Sequence, residues 1–232
     1  MLFRHMSKYE TVKNELIYNV MLRVFAQAAK EESVAFEGKD WDRNERIELA
    51  HDYIYEMELL GLRPDKYTCN ALLAVYCNSQ VPERAENCFK SIFQVYDLSP
   101  DVHSYLALLR MRRQSGDLAN ALSVYAQLKL AGDKASLTTT GEGSENKNKN
   151  NLKINHLFYS TLLQCCLEQK SFQAGIQVIQ DMRDDGLEPY PWILKKFIEK
   201  PHVSLSLSLA LSLCRSVGLS VFSQYTSKLC LL

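Results

Sequence analysis

A helix-ending motif recurs along this chain and limits the folds it can adopt. Glu56-Met57-Glu58-Leu59-Leu60-Gly61-Leu62-Arg63-Pro64-Asp65 is echoed by Asp181-Met182-Arg183-Asp184-Asp185-Gly186-Leu187-Glu188-Pro189. Two weaker copies lie between them, Ser91-Ile92-Phe93 through Asp97-Leu98-Ser99-Pro100-Asp101, and Gln127-Leu128-Lys129-Leu130-Ala131-Gly132. Gly61 and Gly186 suit the left-handed residue that ends a helix, and Pro64 and Pro189 forbid its continuation. Asp65 and Asp101, directly after a proline, suit the N-cap of the next helix.

A new apolar pattern opens after each closure. The openings run from Ile17-Tyr18-Asn19, Thr68-Cys69-Asn70, Ser104-Tyr105-Leu106 and Phe158-Tyr159-Ser160. Corresponding positions (18, 69, 105, 159) are 51, 36 and 54 residues apart. The middle spacing is a helix-turn-helix period, and the outer two are that period plus insertions. Leu72, Leu73, Tyr76 and Cys77 fall on one face of a first helix. Ala85, Cys88, Phe89 and Ile92 do so on its partner, as do Ala121, Val124, Tyr125, Leu128 and Gly175, Val178, Ile179, Met182. A small residue recurs where paired helices would cross: Ala50, Ala85, Ala121 and Gly175. One hairpin cannot bury its own apolar face, so the hairpins must stack. The expected fold is all-α, a helix-turn-helix repeat solenoid of about four hairpins plus a partial fifth.

The expected organisation is an N-terminal extension over 1–14, then three hairpins over 15–132 with a charged insertion at 28–45. A polar low-complexity insertion over 133–155 cannot pack. A fourth hairpin and a capping or partial fifth helix from Pro191-Trp192 span 156–200. A Ser/Leu-rich tail, expected to be disordered, spans 201–232. Its alternation at 204–213 has no sheet to join and is too serine-rich for a membrane span. Residues 1–19 mix Arg4, Lys8 and Lys13 with Glu10 and Glu15, unlike an acid-poor organellar presequence. The expectation is an internal start within a longer protein, or atypical targeting.

The 27 basic and 27 acidic side chains cancel, which excludes a strongly basic nucleic-acid binder but not a local basic stripe. Cys69, Cys77, Cys88, Cys165, Cys166, Cys214 and Cys230 show no metal-ligand spacing, and their odd number argues against a disulfide framework. They read as small buried hydrophobes. The histidines are scattered and no Gly-rich phosphate loop occurs, so no catalytic role, metal or cofactor is expected.

At the motifs above the sequence resembles the pentatricopeptide repeat family, over roughly residues 15–190 apart from the insertions. The family's hairpin of about 35 residues opens near Thr-Tyr-Asn-x-Leu-Ile and closes near Met-x-x-x-Gly-x-x-Pro-Asp. Thr68-Cys69-Asn70-Ala71-Leu72-Leu73 and Met57 through Asp65 fit closely. The resemblance implies binding of single-stranded RNA, one base per repeat. It implies location in a mitochondrion or chloroplast, with other proteins of an organellar RNA complex as further partners. The fifth residue of a first helix and the last residue of the repeat would contact the base: Asn19 with Asp65, and Asn70 with Asp101. That combination implies a pyrimidine, preferably uracil. The flanking second position corresponds to Leu16, Tyr67, His103 and Leu157.

Repeat 2 is one residue long, so the role of Asp101 assumes a bulge in its second helix or turn. Repeat 3 offers Leu106, which cannot hydrogen-bond, and repeat 4 offers Ser160 with Tyr190. An amide can donate and accept together, as reading a base edge requires. The plainer reading of each Asn is satisfaction of helix-end backbone groups, and that of each Asp is capping. For phosphates, Arg110, Arg112 and Arg113 lie on one first helix, with Arg23, Lys195 and Lys196 elsewhere. The alternative function is a protein-interaction scaffold of the same architecture.

Overall fold

The computed structural model describes residues 14–30, 43–137 and 152–198. Residues 1–13 of the N-terminal extension, most of the charged insertion with Trp41, the stretch 138–151, the Ser/Leu-rich tail, Cys214 and Cys230 lie outside them.

Among the described residues there are nine helices and no strand. They are α1 (Glu15–Lys30), α2 (Arg43–Leu59), α3 (Lys66–Asn78), α4 (Pro82–Val95), α5 (Val102–Gln114), α6 (Leu118–Leu137), α7 (His156–Glu168), α8 (Phe172–Asp184) and α9 (Pro191–Ile198). The described residues fall into two compact units that divide between Lys153 and Ile154.

In the first unit α1–α2, α3–α4 and α5–α6 are antiparallel hairpins, and α3 packs against both α1 and α5. The first helices thus form one layer, with α2, α4 and α6 behind it. In the second unit α7 and α8 form a hairpin and α9 packs on α7, as one first helix packs on the next.

Local chemistry explains the joints. Gly61 and Gly186 take φ of +73° and +75°, the left-handed conformation expected of them. Leu62 N–H donates to Met57 O at 3.0 Å and Leu187 N–H to Met182 O at 2.9 Å, closing the helix ends. The degenerate second copy makes the same turn with Asp97 at φ +54° in place of glycine. Leu98 N–H still reaches Phe93 O, at 2.7 Å. Asp65 and Asp101 N-cap α3 and α5, each in a reciprocal capping box with Thr68 or Ser104.

The apolar faces meet as the periodicity requires. Leu72, Leu73, Tyr76, Cys77, Ala121, Val124, Tyr125 and Leu128 are buried, as are Gly175, Val178, Ile179 and Met182. Each such large side chain contributes about 1.5–3 kcal/mol when removed from water. Ala50, Ala85 and Ala121 are fully buried. Gly175 is tighter still: a Cβ there would run into the Phe197 ring and meet Cys166 Cβ at 3.4 Å. Cys69, Cys77, Cys88, Cys165 and Cys166 are buried thiols outside any disulfide. Desolvation pushes the Cys69, Cys88 and Cys166 thiols up to about 12, and they serve as packing groups.

Two local expectations are corrected, and a third is narrowed to one of its two alternatives. Gly132 does not close a helix, because α6 runs through it to Leu137; no proline follows to stop it, and one glycine is tolerated mid-helix at about 1 kcal/mol. The stretch 133–155 is not wholly unpacked, because Ile154 is buried and the Asn155 side chain caps α7, accepting from Phe158 N–H at 2.9 Å. The extra residue of repeat 2 lies in α4, which has 14 residues where α8 has 13. The turn after α4 keeps the spacing of the other two, so Asp101 is delivered to its cap without a bulge in the turn.

Candidate nucleic-acid interface

The exposed ends of the first helices are in register, counted from their N-caps. The cap of α1 is Asn14, whose side chain accepts from Ile17 N–H at 3.1 Å. The second helical residues are then Leu16, Tyr67, His103, Leu157 and Trp192, and all five are exposed. Tyr67 is 76% exposed, which no packing role explains. The fifth residues are Asn19, Asn70, Leu106, Ser160 and Lys195.

Asn19 lies where α1 meets the start of α3 and is only 9% exposed. Its Nδ2 donates to the Asp65 carboxylate at 3.2 Å. The Thr68 hydroxyl lies 2.6 Å from Asn19 Oδ1 and donates to it. The next junction repeats the arrangement: Asn70 Nδ2 donates to Asp101 at 3.2 Å, and the Ser104 hydroxyl donates to Asn70 Oδ1 at 2.6 Å. Both Asn–Asp pairs singled out from the sequence are therefore in direct contact. The capping explanation of the two aspartates also holds, since Asp65 Oδ1 accepts Thr68 N–H at 2.8 Å and Asp101 Oδ1 accepts Ser104 N–H at 3.0 Å. One carboxylate does both jobs.

The later repeats lack this device. Leu106 is buried. The Ser160 hydroxyl donates back to His156 O at 2.7 Å, within its own helix. Tyr190 instead joins an aromatic cluster: its ring lies 4.0 Å from that of His156 and stacks on Trp192 at 6.4 Å with 16° between planes. Lys196 Nζ lies 5.3 Å from the Trp192 centroid. Sequence reasoning took Pro191-Trp192 only as the start of a helix. Counting from the Tyr190 cap would have placed Trp192 in register with Tyr67.

The cations divide into two kinds. Arg23 and Arg110 are exposed, both at the ninth position of their helices, one turn beyond Asn19 and Leu106. Arg113 is partly buried. Arg112 does not belong with them. It is 8% exposed, ion-paired with Glu86 and, at 3.2 Å, with Asp117. Two residues on from Arg110, it projects from nearly the opposite side of α5, toward α4 and the α5–α6 turn. Lys195 and Lys196 are exposed on α9.

Stacked α-hairpins with capped, registered first helices define a helical-repeat protein. Residues 54–95 and 144–194 match the model of the pentatricopeptide repeat domain. The fold is similar to the maize pentatricopeptide repeat protein PPR10, crystallised with an 18-nucleotide psaJ RNA element, at 19% identity and TM-score 0.60 over 85% of this chain and 24% of that one. It is also similar to the repeat domain of Arabidopsis thaliana protein-only RNase P 1 in complex with tRNA, at 15% identity and TM-score 0.52 over 86% of this chain and 88% of that domain. Among curated proteins, the mitochondrial 15S rRNA processing factor CCM1 of Yarrowia lipolytica is 22% identical over 131 residues, 56% of this chain. The chain spans 15% of that relative's length. The two matched stretches make the chain similar to pentatricopeptide repeat proteins over less than half of its length.

Proposed function

We propose that this chain binds single-stranded RNA along its layer of first helices, within an organelle, as part of RNA processing, stabilisation or translation. The observation that carries this reading is the twice-repeated contact of an Asn amide with the next cap Asp, flanked by exposed second-position side chains. An amide and a carboxylate side by side offer donor and acceptor atoms to a base edge. Tyr67 and Trp192 offer faces on which a base can stack, worth about 1–3 kcal/mol each. Arg23 and Arg110, one turn further on, suit phosphates. Asn19 with Asp65, and Asn70 with Asp101, then take two neighbouring pyrimidines, uracil preferred. Leu106 and Ser160 read nothing, so sequence selection rests on two positions. The RNA complexes of the two structural relatives support the ligand class. The relative that processes mitochondrial rRNA favours the mitochondrion over the chloroplast and RNA over a membrane or small-molecule partner. No catalytic step is assigned to these residues.

The test is fluorescence anisotropy with labelled oligo-U and oligo-A at several salt concentrations. Salt-sensitive binding with oligo-U tighter than oligo-A is expected; no binding to either polymer at low salt refutes the reading. A second reading, a protein scaffold, draws on Leu16, Val20 and Val24, exposed apolar residues along α1. It requires a partner whose binding oligo-U does not displace.

A further inference from the structure

Two hydroxyl groups hold the proposed reading amides from behind, and they are not among the residues so far given a role toward a base. Thr68 and Ser104 occupy the third position of α3 and α5, where a hydroxyl completes a capping box. Capping requires only a contact with the local cap residue. Here each hydroxyl also reaches back to the preceding first helix, 2.6 Å from Asn19 Oδ1 and 2.6 Å from Asn70 Oδ1.

The hydrogen-bond logic of the cluster leaves one orientation for each amide. Carboxylate oxygens only accept, so the amide edge facing Asp65 or Asp101 must be the Nδ2 donor. The Oδ1 edge then faces the hydroxyl, which supplies the proton. A flipped amide would set Oδ1 against a carboxylate at 3.2 Å, two acceptors with no hydrogen between them. Once the carboxylate and hydroxyl are satisfied, each amide has one Nδ2 hydrogen and one Oδ1 lone pair uncommitted in these contacts. Their places are fixed before any ligand arrives. A preset donor and acceptor discriminate between base edges; an amide free to turn serves either.

The device stops where the amides stop. The third residues of α7 and α9 are Phe158 and Ile193, without hydroxyls, and Ser160 holds the fifth position of the first helix before α9.

We infer that Thr68 and Ser104 are specificity-determining positioning residues, which orient the amides of Asn19 and Asn70 for one class of base without touching RNA. The inference rests on the proposed base reading. Its test is the oligo-U to oligo-A affinity ratio of Thr68→Val and Ser104→Ala, with Thr68→Ser and Ser104→Thr as conservative controls and circular dichroism melts to establish folding. Loss of one neutral hydrogen bond of about 1 kcal/mol corresponds to about a five-fold fall in the ratio for each variant. The controls should keep the ratio. A purely structural role would lower melting temperature and leave the ratio of the folded protein alone. The two clips sit at separate junctions, so either variant suffices if the other is unfolded at assay temperature. An unchanged ratio in the folded variants overturns the positioning role while leaving base reading intact. A wild-type protein without preference overturns both.

Discussion

The cap aspartates carry two loads. Asp65 and Asp101 each hold the first backbone amides of a helix and the side-chain amide of the preceding repeat. Asp101→Ala therefore removes a cap, worth about 1 kcal/mol, and frees Asn70. A lower melting temperature together with a reduced oligo-U preference is expected from melts and anisotropy on one sample. Asn70→Ala should erase the preference with a smaller loss of stability. The arginines separate in the same way. Arg110→Ala should flatten the plot of log affinity against log salt by about 0.7, one phosphate contact on a single strand. Arg112→Ala should leave that slope unchanged and lower stability by about 1.5–3 kcal/mol, because the buried guanidinium loses its charge-assisted hydrogen bonds to Glu86 and Asp117. Sequence spacing could not separate these two residues: both are Arg on one helix, and only the position of Glu86 on α4 shows which is committed.

At the scale of helices and turns, legibility followed the chemistry of the ends. Gly-x-x-Pro-Asp announces a stop and a restart, and the structure has both at residues 61–65. Gly132 had neither Pro nor Asp behind it, and α6 passed through. Asp97 was harder to read, since a non-glycine residue at φ +54° is uncommon, though Asp tolerates it better than most. Helix α9 is short, and its attachment runs through Phe197 lying against Gly175. Gly175→Ala should cost about 1–3 kcal/mol through overpacking. Hydrogen exchange should show the loss concentrated in α9 and the facing turns of α7 and α8. Acid should weaken the α5–α6 turn. The Asn120 side chain and backbone amide, with Arg112 adding to them, hold the Asp117 carboxyl below the usual carboxylate range. A depressed folded-state value contributes stability above the ordinary carboxylate pKa of about 4 and loses it as pH falls through the lower value. Wild type should thus lose its advantage over Asp117→Asn as melts are taken from pH 5 toward pH 2.

For the molecule, the repeat was legible because each hairpin leaves an apolar face that only another hairpin can cover. The surface between repeats was less so. Trp192, 46% exposed, shares a register with Tyr67 that emerges only when caps are aligned across helices of different length. The base-facing assignments came from family likeness, and the coordinates add that both Asn–Asp pairs are in contact. The most direct check uses the side-chain amide resonances of Asn19 and Asn70 in a 15N-labelled sample. Oligo-U should shift both pairs of signals, while oligo-A, matched for occupancy, should leave them near their free positions. Equal shifts with the two polymers, or RNA binding that leaves both amides unmoved, would contradict base reading at these residues.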